Sequence, residues 1–326
     1  MSARSRFWLF APLALALVAT AAIMYGPVSI PAGDVWSALA GHGESSTVTI
    51  VRSLRLPRTV LAALVGAALA MAGSALQGSL RNPLAEPYLL GVSGGAATGA
   101  VIAVVAGVRG AAFIPLAAFA GALLAVFVVL ILGRAAGGRS DGRVLLMGGV
   151  VVGAFANAAI MVTLATAPAN EIRGALWWMM GSVSDADWRQ VAWLAVYAGV
   201  AGAALVYAAR DIDLLALGDD SAAALGLNVD RAGARIFLIA SLLAAATVAA
   251  AGLVGFVGLV VPHLVRALGL RHHREGVLGS ALVGAVLVIT ADLAARTLRA
   301  PAELPLGAVT ALIGVPFFLS RLRRLA

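Results

Sequence analysis

The sequence predicts an all-α polytopic membrane protein with about ten transmembrane helices, and three observations carry that prediction. Of the 326 residues, 62% are hydrophobic and only 12% are charged, whereas a soluble domain has about 25% charged residues and roughly 45–50% apolar ones. Mean hydropathy is +1.00, so there is too little polar sequence to cover a water-exposed surface of this size. Apolar runs near the ~20 residues that a bilayer demands recur along the whole chain. Residues 1–326 are read as one transmembrane domain.

The runs place helices at roughly 7–25, 58–80, 89–107, 111–133, 143–167, 190–209, 235–254, 255–269, 277–297 and 306–320. In the first, Arg4 and Arg6 precede Phe7–Met24, and "ATA" at 19–21 has a slight look of a cleavage site. A signal-peptide core spans only ~7–15 residues, so this longer run is expected to be a retained helix. The second, third, fourth and seventh are rich in small residues: "LVGAALAMAGSALQG", "GGAATGA", "AAFAGALLA" and "LAAATVAAAGLVGFVG". Lipid gives helices no hydrophobic reason to pair, so close packing relies on small side chains. The fifth presents Asn157 and Met161 among Ala and Gly. The eighth is short, and Gly255, Gly258 and Pro262 make it irregular; irregular backbone at membrane depth must be surrounded by protein or line a cavity. The second helix opens at Arg58 and the chain meets Pro83 beyond its end; the seventh opens at Arg235 and the chain meets Pro262 at a similar distance. Such paired interruptions suggest two inverted repeats, helices 2–5 and 7–10.

All 23 basic residues are arginine. A Walker A loop needs a lysine to reach the β- and γ-phosphates, so the chain cannot be a P-loop ATPase by itself. The absence of cysteine excludes disulfides and thiolate chemistry. The net charge of +8 is read as topology rather than nucleic-acid binding. With the N-terminus in the cytoplasm, fifteen arginines fall inside and eight outside, as the positive-inside rule expects. Both termini are then cytoplasmic. The outside minority is clustered: Arg52, Arg55 and Arg58 before the second helix, and Arg296 and Arg299 after the ninth.

"RNPLAEP" (81–87) interrupts the apolar sequence with two prolines, which bar helix and remove two N–H donors. Asn82 and Glu86 are expected to satisfy freed backbone groups and the N-terminus of the third helix. By residue chemistry alone this is either a rigid turn between packed helices or a functional element.

These residues also carry a resemblance. "RLPRTVLAALVGAALAMAGSALQGSLRNPLAEPYLLGVSGGA" (Arg55–Ala96) resembles the FecCD-like permease subunits of type II ABC importers for iron-siderophores, vitamin B12 and haem. "LWWMMGSVSDADW" (176–188), "ALGLNV" (224–229), "GFVGLVVPHLVR" (255–266) and "AELPLGAVTALIGVPFF" (302–318) agree with it in the family's order, nearly end to end. The resemblance implies a non-enzymatic transport subunit without cofactor. It works with a second copy of itself, two ATP-binding subunits, an extracytoplasmic substrate-binding protein and membrane lipid, and not with nucleic acid. It further implies a multi-pass protein of the bacterial inner membrane carrying an iron(III)-siderophore, with vitamin B12 and haem as alternatives.

Position by position, the resemblance casts Arg55, Arg58 and Arg296 as docking residues for glutamates of the binding protein; the neutral alternative is snorkelling to headgroups. Arg52 and Arg299 lie close enough to assist. It makes the cytoplasmic segment 214–230 the coupling element for the ATPase, through Leu217, Gly218, Asp219, Asp220, Ser221, Ala224, Leu225 and Gly226. Residue chemistry there predicts one short helix, with Asp219–Ser221 as N-cap and first turn and Gly226 as its stop. The translocation path would run along the dimer axis past helices 5 and 10, with Asp141 and Gly142 at an inner gate and Asn157 and Met161 on its wall.

No metal site is expected. His263 stands alone, and His272 and His273 sit in a basic loop, whereas a metal needs several converging ligands. An ion-coupled secondary transporter is the main rival reading. It needs ionisable groups within the membrane, and the only acids near helix bodies, Glu86 and Asp292, lie near helix ends.

Overall fold

The computed structural model describes residues 2–108, 110, 112–135 and 142–322, and among these it contains helices and no strand. The order is α1 (Ala3–Met24), α2 (Ala32–Leu39), α3 (Ser45–Thr49), a π-helical stretch (Ile50–Arg55), α4 (Leu56–Ser79), a 3₁₀ turn (Pro87–Leu90), α5 (Val92–Val105), α6 (Phe113–Ala135), α7 (Gly142–Ala165), α8 (Ala169–Met179), α9 (Trp188–Tyr207), α10 (Ala209–Ala216), α11 (Asp219–Ala224), α12 (Val229–Ala251), α13 (Val257–Ala267), α14 (His273–Thr297) and α15 (Leu306–Leu322).

Among the described residues seven helices are long and apolar enough to cross a membrane, and three shorter apolar ones, α5, α13 and α15, bring the set to the ten expected. One expectation needs correcting. The second helix does not begin at Arg58: α3, the π-helical stretch and α4 run on as 35 helical residues, Ser45–Ser79. At 1.5 Å per residue that is about 50 Å, so one end stands clear of a ~30 Å hydrocarbon layer. The third and eighth helices are the short ones of the set, with 14 residues in α5 and 11 in α13.

The core centres on α4, whose apolar stretch is 78% buried, against 22% for α7. Helices α9, α12, α13 and α14 all pack on α4, and its glycines let them approach. A Cβ on Gly66 would lie 2.1 Å from the carbonyl oxygen of Gly284 in α14, and one on Gly284 would lie 2.2 Å from that of Gly66. The two backbones touch there, as small-residue packing allows.

Contacts repeat between the halves if α4, α5, α6 and α7 are matched with α12, α13, α14 and α15. The pairs α5–α6, α5–α7 and α6–α7 correspond to α13–α14, α13–α15 and α14–α15. Across the halves, α4–α14 corresponds to α12–α6, and α4–α13 to α12–α5. This is the two-repeat architecture predicted from the paired interruptions.

Each half is also broken between its first two helices. The first break holds Arg81 at φ 50° and Gly91 at φ 79°; the second holds Gly252 at φ 67° and Phe256 at φ 66°. Phe256 is the costly one, because a bulky L-residue in the left-handed region is strained. The two breaks bond to each other. Glu86 accepts from the Phe256 backbone N–H at 2.7 Å, and the Tyr88 hydroxyl accepts from the Val254 N–H at 3.0 Å. The expectation that Glu86 serves the N-terminus of the next helix is therefore corrected: that N-cap is Gly91, and the carboxylate crosses to the other repeat. Asn82 does act locally, accepting from Leu84 N–H at 2.9 Å. Just below, Gln77 donates to the Gly258 and Leu259 carbonyls and accepts from Arg266 at 2.7 Å.

Candidate functional site

The clustered arginines converge at one end of α4 and α14. Arg58 donates to both oxygens of Asp292, at 2.8–3.2 Å, and to both oxygens of Glu303, at 2.8 and 2.9 Å. Its planar fork suits two carboxylates at once. Asp292 is shared with Arg296, one helical turn on, at 3.4 Å. Arg296 also donates to the Ala22 carbonyl. Arg55 donates to the carbonyls of Ile23 (2.7 Å), Met24 (2.8 Å) and Val28. Ala22, Ile23 and Met24 are the last residues of α1, so two cations cap the negative end of that helix. Glu303, in the loop between α14 and α15, has its carboxyl held below the ordinary range by the hydrogen bonds from Arg58.

The three arginines cast as docking residues are thus largely enclosed by their own chain. Arg55 is 6% exposed and Arg296 is 3% exposed, and the Arg58 side chain, 12% exposed, is taken up by two acids of its own chain. None offers a free guanidinium. Arg52 and Arg299, which flank the three in sequence, are exposed. Arg52 stands beside Trp188, whose indole N–H donates to the Arg52 carbonyl at 3.1 Å. Sequence reasoning missed Asp292 and Glu303 as partners. The signal was there for one of them: Asp292 and Arg296 are spaced i, i+4 on one helix. Glu303 lies 245 positions from Arg58, beyond any local rule.

At the opposite end of α4, the segment 214–230 forms the end of α10, all of α11 and the start of α12. The short helix expected there is α11, and α10 precedes it. Gly218, at φ 107°, turns the chain between them and occupies the N-cap position assigned to the acids, while Asp219 and Asp220 take the first turn. Gly226 does follow the helix in the left-handed conformation, at φ 86°. Leu217 and Leu225 are exposed, as are Ser221 and Ala224, whereas Ala222 is buried. Asp219 accepts from Arg81 at 2.8 Å, which ties this segment to the "RNPLAEP" loop. Leu84 of that loop is exposed as well.

On α7, Asn157 is exposed, with Met147, Phe155 and Met161 exposed around it. Leu312, Ile313 and Leu319 of α15 are also exposed. Gly142 opens α7, and Asp141 lies outside the described residues. Among the described residues no group of three or more His, Asp or Glu side chains could hold a metal ion.

Broken helices in two matched halves, with irregular backbone enclosed by protein, are the construction of a membrane transport subunit. Residues 14–324 match the FecCD transport family. Over 318 residues, 96% of this chain and 93% of the relative, the sequence is 38% identical to the vitamin B12 import system permease protein BtuC of Salmonella paratyphi A. It is 41% identical to the cobalamin import system permease protein BtuC of Halobacterium salinarum, over 87% of this chain and 75% of that one. An uncharacterized ABC transporter permease, YvrB of Bacillus subtilis, is 38% identical over 85% of this chain and 80% of its own length. A solved structure described as an inward-facing metal-chelate type ABC transporter superposes with a TM-score of 0.88 at 26% identity, covering 98% of this chain and 99% of that one. The protein is thus a multi-pass ABC importer permease, and the chain belongs to the FecCD transport family.

Proposed function

We propose that this permease carries a cobalamin-type metal chelate, delivered by an extracytoplasmic binding protein and driven by a separate ATPase. The observation that carries this reading is the near full-length similarity to permeases named for vitamin B12, at 38–41% identity. It moves cobalamin ahead of the iron(III)-siderophore expected from the sequence. Iron-siderophore is the second reading, favoured by the metal-chelate description of the solved relative; haem stays a family-level alternative.

In this reading two copies pair in the bacterial inner membrane with all four termini cytoplasmic. The exposed faces of α7 and α15 meet across the path, and Asn157 and Met161 line it. An apolar, weakly polar wall suits a bulky cargo that must not be retained. Residues 214–230 rest against the ATPase through Leu217 and Leu225, joined by Leu84. The binding protein docks at the other end on Arg52 and Arg299, while Arg55, Arg58 and Arg296 hold that surface in shape. Arginine suits this role because its fork matches carboxylates and exposed charge speeds encounter.

The test is reconstitution of the permease in proteoliposomes with the ATPase and the binding protein encoded beside it. ATP-dependent uptake of labelled cobalamin, exceeding that of a ferric siderophore, is expected. Uptake of the siderophore alone selects the second reading. Uptake that needs an ion gradient and no ATPase would overturn both and favour the secondary transporter.

A further inference from the structure

A groove of about 860 Å³ opens between α4, α9, α10 and α14, away from every surface assigned so far. Its walls are small and apolar: Ala198, Gly199, Gly202 and Ala203 of α9 face Leu278 and Ala281 of α14, with Met71 of α4 as the floor. One end is cationic, with Arg210 and Arg274 on either side, both exposed. Among the described residues neither arginine pairs with an acid. The acid nearest to them in the lining, Asp213, is engaged by His273, whose ring Nδ1 lies 2.7 Å from it. Neither α7 nor α15 contributes to the walls, so pairing of two copies through those faces leaves the groove open to lipid.

We propose that this groove is a binding site for one anionic phospholipid, with an acyl chain along α9 and the phosphate between Arg210 and Arg274. Three features select that occupant. The volume falls in the ~300–1,000 Å³ range of sites for small ligands. The apolar length ends in a pair of free cations, the charge pattern of a lipid with an anionic head. Tyr207, exposed at the same end, supplies the amphipathic ring that favours the headgroup level. The cationic end adjoins α10, so a bound lipid would brace the helix that leads into α11. The site is independent of the cargo and rests on the function proposed above only in taking α7 and α15 as the faces that pair.

The experiment is native mass spectrometry of the permease with its ATPase, released from nanodiscs of equal phosphatidylglycerol and phosphatidylcholine. The native protein is expected to retain phosphatidylglycerol preferentially. Two basic side chains at an anionic headgroup correspond to about thirtyfold in retention, and Arg210→Gln with Arg274→Gln should remove it. Gly199→Leu should also empty the groove, and it is a clean filling variant because a Cβ there meets nothing within 4 Å. Equal retention of the two lipids, or unchanged retention in Gly199→Leu, would overturn the proposal even if the double arginine variant failed to assemble. Displacement of the retained lipid by millimolar inorganic phosphate would overturn it too, since it would reduce the site to an ion site.

Discussion

In a chain this apolar, a guanidinium needs acceptors, and Arg58 finds four carboxylate oxygens. Removing one partner of a buried pair leaves a stranded charge and costs about 3–5 kcal/mol, whereas replacing the whole pair by apolar groups is often nearly neutral. Asp292→Asn leaves Arg296 without its acid, so thermal unfolding in detergent should shift down strongly. Replacing Arg55 by Glu should lower stability and assembly, because it sets a carboxylate against the carbonyl end of α1. Glu303 adds a pH dependence. Its folded pKa lies below the ordinary 4.5, so its contribution is complete above that value and is lost as pH falls through the lowered one. Melting temperature measured from pH 6 downward should fall more steeply for the native chain than for Glu303→Gln, by a modest amount, because the carboxyl is about one-third exposed.

The elements that matter most are the two breaks and the segment proposed to meet the ATPase. Glu86 offsets the strain at Phe256 by satisfying its N–H, and an unmade bond to a buried donor costs about 1–3 kcal/mol. Tyr88→Phe likewise leaves the Val254 N–H without its acceptor, so both variants should destabilise, and Glu86→Ala more, because a bond to a carboxylate is worth about 1.5–3 kcal/mol against about 1 for a neutral one; chemical unfolding of the two variants tests the order. The segment 214–230 is different in kind. Helices α10 and α11, of 8 and 6 residues, are too short to be stable alone in water, so their shape depends on what they rest on. Ala223 is exposed within α11, and Ala223→Pro should abolish cargo-stimulated ATP hydrolysis in the assembled transporter while leaving the fold intact. A normal stimulated rate in that variant would remove α11 from the coupling role.

For the molecule as a whole, the proposed pairing of two copies rests on the contrast between a buried α4 and an exposed α7. An apolar face that carries a polar Asn157 is a poor surface for lipid and a good one for a wall shared with a partner. Phe155→Arg with Met161→Arg places two charges on that face without touching the core, since both side chains are exposed. The purified variant should remain folded and run as a monomer by light scattering. Gly66→Leu is the opposite case: its Cβ would fall 2.1 Å from a backbone carbonyl, and the helix pair at the centre should fail to form.

The sequence by itself determined the class, the number of helices, the repeat and the family, because each depends on composition, run length or motif order, which are local properties of the chain. It also placed the turn at "RNPLAEP" and the stop at Gly226, where proline and glycine act on their own backbone. Only the tertiary structure decided what the polar residues do. Glu86 serves the other repeat, Arg55 and Arg296 cap α1, and Arg58 is held by Asp292 and Glu303. A charge in an apolar interior goes wherever folding brings an acceptor within about 3 Å, and partners more than 200 positions apart leave no periodic trace in sequence.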